Sequence, residues 1–172
     1  MPPAIFNNAE ELAHPTPETM KNDGRQRYCS SKLCNVLWAY ALNRRIGAAD
    51  PSGGKQWTVT AFDPGLMPGT GLARDAGPVL RFIWHSILPR LTWLLRSLLT
   101  PNVHTDVESG FALARLGVGK DVQGRTGVYY EGLKEIDSSV DSHQVEKQDD
   151  LWEWTVRTVA RDEAERQVFE LI

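Results

Sequence analysis

Only two stretches of the chain, residues 57–62 and 127–130, read as strands, and both are short. The first, Trp57-Thr58-Val59-Thr60-Ala61-Phe62, is β-branched and aromatic and is bounded by Gly and Pro. The second is Gly127-Val128-Tyr129-Tyr130. Helical patterns surround them, in the order helix, strand, two or three helices, strand, helix. That alternation belongs to the α/β class. Two strands make a poor sheet on their own. The chain has 172 residues, enough for one domain and too few for two of ordinary size. The expectation is therefore one α/β domain over residues 1–172, mostly helical with about two strands.

The helices follow from periodicity. Leu33, Val36, Leu37, Tyr40 and Ala41 form a stripe that predicts a helix over 25–46. Asn43, Arg44 and Arg45 fall in its last turn, where cations suit the dipole, and Gly47 reads as the stop. Residues 1–24 are polar and irregular, with Pro2, Pro3, Pro15 and Pro17. The stretch up to residue 27 should be loop with at most a short helix, adding little core. Residues 78–100 are the most apolar, and Pro89 should break them. Further helices are expected over 106–117 and 144–158, with a helical tail from residue 161.

Charge narrows the partners. A net charge of −3 and a pI near 5.8 give no basic field, so nucleic acid is not an expected partner. Cys29 and Cys34 lie too far apart on a helix to bridge, and C-x4-C is no zinc signature. Such cysteine usage fits a reducing compartment, the cytoplasm. The first five residues show neither a basic n-region nor an apolar h-region, so no signal peptide is expected.

Two motifs carry chemistry. In Tyr28-Cys29-Ser30-Ser31-Lys32 the tyrosine and lysine share one helix face, beside the apolar stripe rather than in it. A phenol ordinarily titrates near pH 10. An ammonium held close lowers that value, so the phenol can exchange a proton with a hydroxyl or carbonyl. Surface residues would show the same spacing. Tyr130 and Lys134 repeat it, but in a strand-like run whose rise should hold them apart. The second motif is Asp63-Pro64-Gly65 at the end of a strand, where ligands of α/β sheets bind. An ordinary turn would look the same.

Together Tyr28-Cys29-Ser30-Ser31-Lys32, the helix that follows it, and Phe62-Asp63-Pro64-Gly65-Leu66-Met67-Pro68-Gly69-Thr70-Gly71-Leu72 resemble the short-chain dehydrogenase/reductase family. The flavour is that of the branch with protochlorophyllide reductases, retinol dehydrogenases and fungal pathway reductases. The likeness covers residues 25–172 and is to the C-terminal part of such enzymes. It implies a truncated Rossmann-like, doubly wound fold whose N-terminal βαβ units are missing, since such a sheet of six or seven strands needs roughly 200 residues or more and the chain has 172. It also implies binding of NADP, with NAD as the alternative. By resemblance Tyr28 is the catalytic acid/base. Lys32 holds the nicotinamide ribose and lowers the tyrosine pKa, and Pro64, Gly65 and Thr70 flank the nicotinamide. Residues 72–100 would be the substrate lid, suited to a hydrophobic small molecule of secondary metabolism, and homo-oligomers are compatible. The family's glycine-rich loop and catalytic serine should precede the tyrosine, and residues 15–20 hold no serine. Asn7-Asn8-Ala9 matches a family motif only by coincidence, since Glu10 stands where that motif has glycine and it lies too close to Tyr28.

Other signals are weaker. Gly117-Val118-Gly119-Lys120 lacks the remaining residues of a phosphate loop. His104, Asp106 and Glu108 read as a helix start rather than as metal ligands, so no metal site is expected. No G-x-S-x-G makes a hydrolase elbow. Residues 80–99 carry Arg81, Arg90 and Arg96 and no acid, which suits a membrane surface, although a lid or core helices is the preferred reading. The rival functions are therefore an inactive remnant that binds or oligomerises, and a peripheral membrane protein.

Overall fold

The computed structural model describes residues 2–49 and 57–170. The chain divides into two compact units. One comprises Met1–Ala61, Gly124–Val128 and Asp137–Ile172; the other comprises Phe62–Gln123 and Tyr129–Ile136.

The first unit is built on α2 (Gly24–Ala49) and α6 (Val145–Val159). The Asp23 carboxylate accepts the Gln26 N–H at 2.7 Å and caps α2. Of the stripe, Leu33, Leu37, Tyr40 and Ala41 are buried and Val36 is half-buried. Gly47 does not stop the helix, which runs on to Ala49. A Cβ there would meet nothing within 4 Å, so no contact forces a turn. Arg44 and Arg45 do not serve as dipole partners. They grip Asp149 of α6 at 2.6 and 2.9 Å. Burial pushes the Asp149 carboxyl up, but hydrogen bonds from the two arginines outweigh it and hold it below its ordinary value. On α6, Gln148, Trp152 and Val156 face inward at helical spacing. Trp152 stacks on Trp38 with centroids 5.5 Å apart, and Arg45 lies 4.6 Å from its ring centroid. The tail forms α7 (Glu163–Glu170), with Phe169 packed against this cluster.

The N-terminal stretch contributes more than its polarity suggests. It holds α1 (Ala9–Ala13), capped by Asn8, whose side chain accepts the Glu11 N–H. Phe6 and Ala9 join Leu33 and Leu37 in one buried cluster. The Ala9 N–H donates to Asp150 at 2.6 Å, and Trp154 Nε1 donates to Glu10 at 2.7 Å. Two buried residues among polar neighbours leave no periodicity to read.

Among the described residues three strands, not two, form a sheet in the order β1 (Thr60–Asp63), β2 (Val128–Glu131), β3 (Lys134–Ile136). The strand predicted from Trp57 begins only at Thr60, and Trp57 is exposed. Gly127 N–H donates to Val59 O and Gly132 N–H to Asp63 O, so positions rise together along β1 and β2, the parallel sense. β2 and β3 are an antiparallel hairpin, with Tyr130 opposite Glu135. The turn holds Gly132 at φ 57°. Lys134-Glu135-Ile136 has no apolar alternation, which is why the strand escapes a reading of pattern. The Tyr130…Lys134 spacing thus straddles a reversal, not an extended run. The Tyr130 hydroxyl donates to Glu135 at 3.1 Å.

In the second unit, residues 78–98 are a broken helical path. α3 (Pro78–Phe82) leads into a π-turn, Ile83–Ile87, then a 3-10 turn, Leu88–Leu91, that carries Pro89, then α4 (Thr92–Leu98). α5 (Asp106–Val118) follows, opened by a capping box between Thr105 and Glu108. Gly110 lies in the middle of α5, and a Cβ there would meet nothing within 4 Å. Gly110→Ala should therefore stabilise the protein by about 0.5–1 kcal/mol. Thermal unfolding should show a higher midpoint for the variant; a lower one would mean that close packing reaches Gly110.

Candidate active site

Tyr28 is the fifth residue of α2. The start of the helix is tied down by Arg27, which donates to the carbonyls of Asn22 at 3.0 Å and Met20 at 2.6 Å. Lys32 stands one turn on, and its Nζ lies 5.4 Å from the Tyr28 ring centroid. Both side chains are exposed, Tyr28 to 44 %. The pair thus sits beside the buried stripe, as its spacing predicts, and presents a phenol and an ammonium together to solvent. Ser30 does not share that face. It is buried, and its hydroxyl accepts the Ile5 N–H at 3.0 Å. A cavity of about 340 Å³ lies along α2 near α1 and α6, lined by Leu12, Arg27, Ser31, Cys34 and Trp154 but by neither Tyr28 nor Lys32. Burial pushes the Cys34 thiol up to about 11, so it stays a thiol.

Pro64, Gly65 and Thr70 share one loop of the second unit. The Asp63 carboxylate closes the turn: one oxygen accepts the Gly65 N–H at 2.8 Å, the other Asn102 Nδ2 at 2.9 Å. Buried Ser109 of α5 donates to the Pro64 carbonyl at 2.7 Å. Leu66 forms a parallel bridge with Val103, through Leu66 N–H to Asn102 O at 2.8 Å and His104 N–H to Leu66 O at 3.0 Å. Downstream, Trp84 Nε1 donates to the Thr70 carbonyl at 2.9 Å, and His85 Nδ1 lies 2.9 Å from Gly69 O. The Thr70 hydroxyl donates to Met67 O at 2.8 Å, so its lone pairs remain as acceptors. Asn102, Ser109, Trp84 and His85 hold this loop, and no sequence spacing announces them.

The loop also contains a G-x-x-x-G-x-G spacing, at Gly65, Gly69 and Gly71. It lies downstream of Tyr28, and it leads into a three-residue 3-10 turn, Gly71–Ala73, rather than a helix. Gly65 and Gly69 take φ of 77° and 95°. It is turn chemistry, not a dinucleotide fingerprint.

Two other clusters have structural uses. Ser138 Oγ lies 3.1 Å from His143 Nε2, the geometry of a nucleophile and its base. The wider network is structural: Ser142 donates to Ser139 O at 2.6 Å, Ser138 Oγ lies 2.7 Å from Ser142 Oγ, and Tyr40 of α2 lies 2.7 Å from the same Ser138 oxygen, which ties the 138–143 turn to that helix. Near the α5 start, the Thr105 N–H and then Arg96 hold the Glu108 carboxyl down at about 2. Asp106 accepts the Val107 N–H at 2.9 Å. Among the described residues no group of three or more His, Cys, Asp or Glu is placed to hold a metal ion.

Among curated proteins, the chain is similar to protochlorophyllide reductase of Avena sativa, 28 % identical over 142 residues, which are 80 % of this chain and 41 % of the relative. It is similar to the short-chain dehydrogenase iccH of Talaromyces variabilis, 28 % identical over 139 residues, 76 % of this chain and 36 % of the relative. The chloroplastic protochlorophyllide reductase A of Oryza sativa subsp. japonica is likewise 28 % identical over 142 residues, 80 % of this chain and 33 % of the relative. No family model matches the chain. The matched region spans about two fifths or less of the length of these relatives. The resemblance to short-chain dehydrogenases/reductases, in the branch of the protochlorophyllide reductases and a fungal enzyme, is thus shown by the relatives themselves, all oxidoreductases by name.

Proposed function

We infer that the chain works as part of a short-chain dehydrogenase/reductase that moves a hydride between NADPH and a carbonyl or alcohol of a hydrophobic small molecule. The observation that carries this is the exposed Tyr28–Lys32 pair, its ammonium 5.4 Å from the phenol ring centroid. Fold supports it too. A parallel strand pair joined by a helical crossover is the repeating unit of doubly wound sheets, and β1 and β2 are such a pair. A truncated Rossmann-like fold is the reading that suits these elements.

Taken unit by unit, the groups present suit parts of a nicotinamide riboside. The Tyr28 hydroxyl and the Lys32 ammonium are donors for ribose hydroxyls. In the second unit the Thr70 hydroxyl, its proton spent on Met67 O, is an acceptor for an amide N–H, and by the resemblance Pro64 and Gly65 lie near the nicotinamide. When bound, the cofactor supplies or accepts the hydride. Tyr28 Oη donates a proton to the carbonyl oxygen being reduced, or takes one from the alcohol being oxidised. Lys32 Nζ, 5.4 Å from the ring centroid, stands beside that phenol as a second donor. By the resemblance NADPH is the cofactor, with NADH as the alternative. Exposed Val79, Leu80, Phe82 and Trp93 suit an apolar substrate, such as a secondary metabolite. Two free thiols, Cys29 and Cys34, suit the reducing cytoplasm.

Titrating the chain with NADPH, and separately with NADH, tests the reading through cofactor fluorescence. Saturable enhancement is expected, weakened by Lys32→Met. Tyr28→Phe should leave binding nearly intact and cut turnover by about 10²–10⁴-fold. No response to either cofactor would sink it.

A further inference from the structure

The broken helical path of the second unit leaves apolar side chains in water. Every residue of α3 is exposed, Val79 to 72 % and Phe82 to 63 %. Along α4 and just beyond it, Trp93, Leu98 and Leu99 are exposed to 64, 72 and 67 %. Large apolar groups left in water in such number are the usual mark of an interaction surface. Their charged neighbours are of one sign. Residues 78–100 contain Arg81, Arg90 and Arg96 and no Asp or Glu, in a chain whose net charge is −3. Arg96 is committed to Glu108 and to Val103 O. Arg81 and Arg90 have no acidic partner among the described residues, and the guanidinium of Arg90 reaches only the Ser86 carbonyl. No helix among the described residues is long and apolar enough to cross a membrane.

We propose that this face, α3 through α4, docks on an anionic lipid surface. The occupant must take apolar side chains and guanidinium groups at once, and a headgroup region over acyl chains does both. Arg81 is exposed, and a long stem of this kind can lie among apolar groups while its head reaches phosphate level. Trp93 supplies the aromatic ring that partitions to such interfaces. Pro89 divides the path into two short arms that lie in the interface rather than entering it end-on. Docking does not depend on hydride transfer by Tyr28; if both hold, an apolar substrate dissolved in the bilayer would reach the second unit directly.

Co-sedimentation of the chain with vesicles tests this, using phosphatidylcholine alone and phosphatidylcholine mixed with phosphatidylserine. Binding is expected to the mixed vesicles only, and to weaken as salt rises. Arg81→Gln with Arg90→Gln should weaken it roughly 30-fold, about fivefold for each cation near an anionic surface. Phe82→Ser with Trp93→Ser should weaken it roughly tenfold or more. All four positions are exposed, so circular dichroism should show unchanged folding. Three results would overturn the proposal: no binding to anionic vesicles, equal binding to neutral ones, or binding that neither pair of changes reduces. Self-association abolished by the Phe82 and Trp93 changes, without vesicle binding, would also overturn it by assigning the face to a second copy.

Discussion

Trp152→Ala is expected to lower the stability of the first unit by about 3–5 kcal/mol. The ring is buried to 6 % exposure on α6, where it closes a cluster with Ala41 and Val156. One face stacks on Trp38, and the Arg45 guanidinium lies 4.6 Å from the ring centroid. Truncation removes the apolar transfer energy of a large side chain and leaves a cavity that rigid helices cannot collapse into. It also strips Arg45 of a packing partner while its bond to Asp149 remains. For a chain of this size each kcal/mol moves the unfolding midpoint by about 2–4 °C, so a drop of roughly 6–20 °C is expected. Trp38→Ala should cost less, because Trp38 is already 38 % exposed. A loss under about 1 kcal/mol for Trp152→Ala would mean that the α2–α6 seam is not what holds this unit.

That seam was legible because both helices repeat their apolar residues at helical spacing. Leu33, Leu37 and Ala41 on one and Trp152 and Val156 on the other are buried as their positions require. Phe6 and β3 were not legible, for two reasons. Phe6 buries a large ring from an irregular stretch, and a single residue has no period. Lys134-Glu135-Ile136 becomes a strand because β2 lies alongside it and Gly132 turns the chain back, which is tertiary context rather than propensity. The site divides the same way. Tyr28 and Lys32 are a local pair, one helical turn apart, and sequence placed them on one exposed face. The supports of the Pro64–Gly65 turn come from residues about 40 positions downstream, Asn102 and Ser109. Long-range hydrogen bonds of that kind leave no mark in local spacing.

Gly65→Ala should damage that turn more than any other single-methyl change in the second unit. Gly65 sits at φ 77°, a region that costs an alanine about 1–2 kcal/mol by itself. The added Cβ would lie 2.3 Å from Asn102 Oδ1, 2.6 Å from His104 Cδ2 and 2.8 Å from the Asn102 carbonyl oxygen. Asn102 cannot easily yield, for its amide holds Asp63 at 2.9 Å and its carbonyl accepts the Leu66 N–H at 2.8 Å. Its Oδ1 is buried without a hydrogen-bond partner, so the amide is already held in a place it would not choose for solvation. Strain and overpacking together should cost about 3–5 kcal/mol. Gly69→Ala is the control. Gly69 also has a positive φ, 95°, but its Cβ would meet only Pro89, at 3.2 Å or beyond, so it should lose little more than the backbone cost. If thermal unfolding finds the two variants equally stable, the close approach of Asn102 to Gly65 is not what shapes the turn. If Gly65→Ala is much the worse, a glycine at this position answers first to the packing of Asn102 and His104. On that outcome, the proposed binding of a nicotinamide cofactor should weaken in Gly65→Ala through displacement of the turn, and Gly69→Ala should bind more nearly as the unsubstituted chain does.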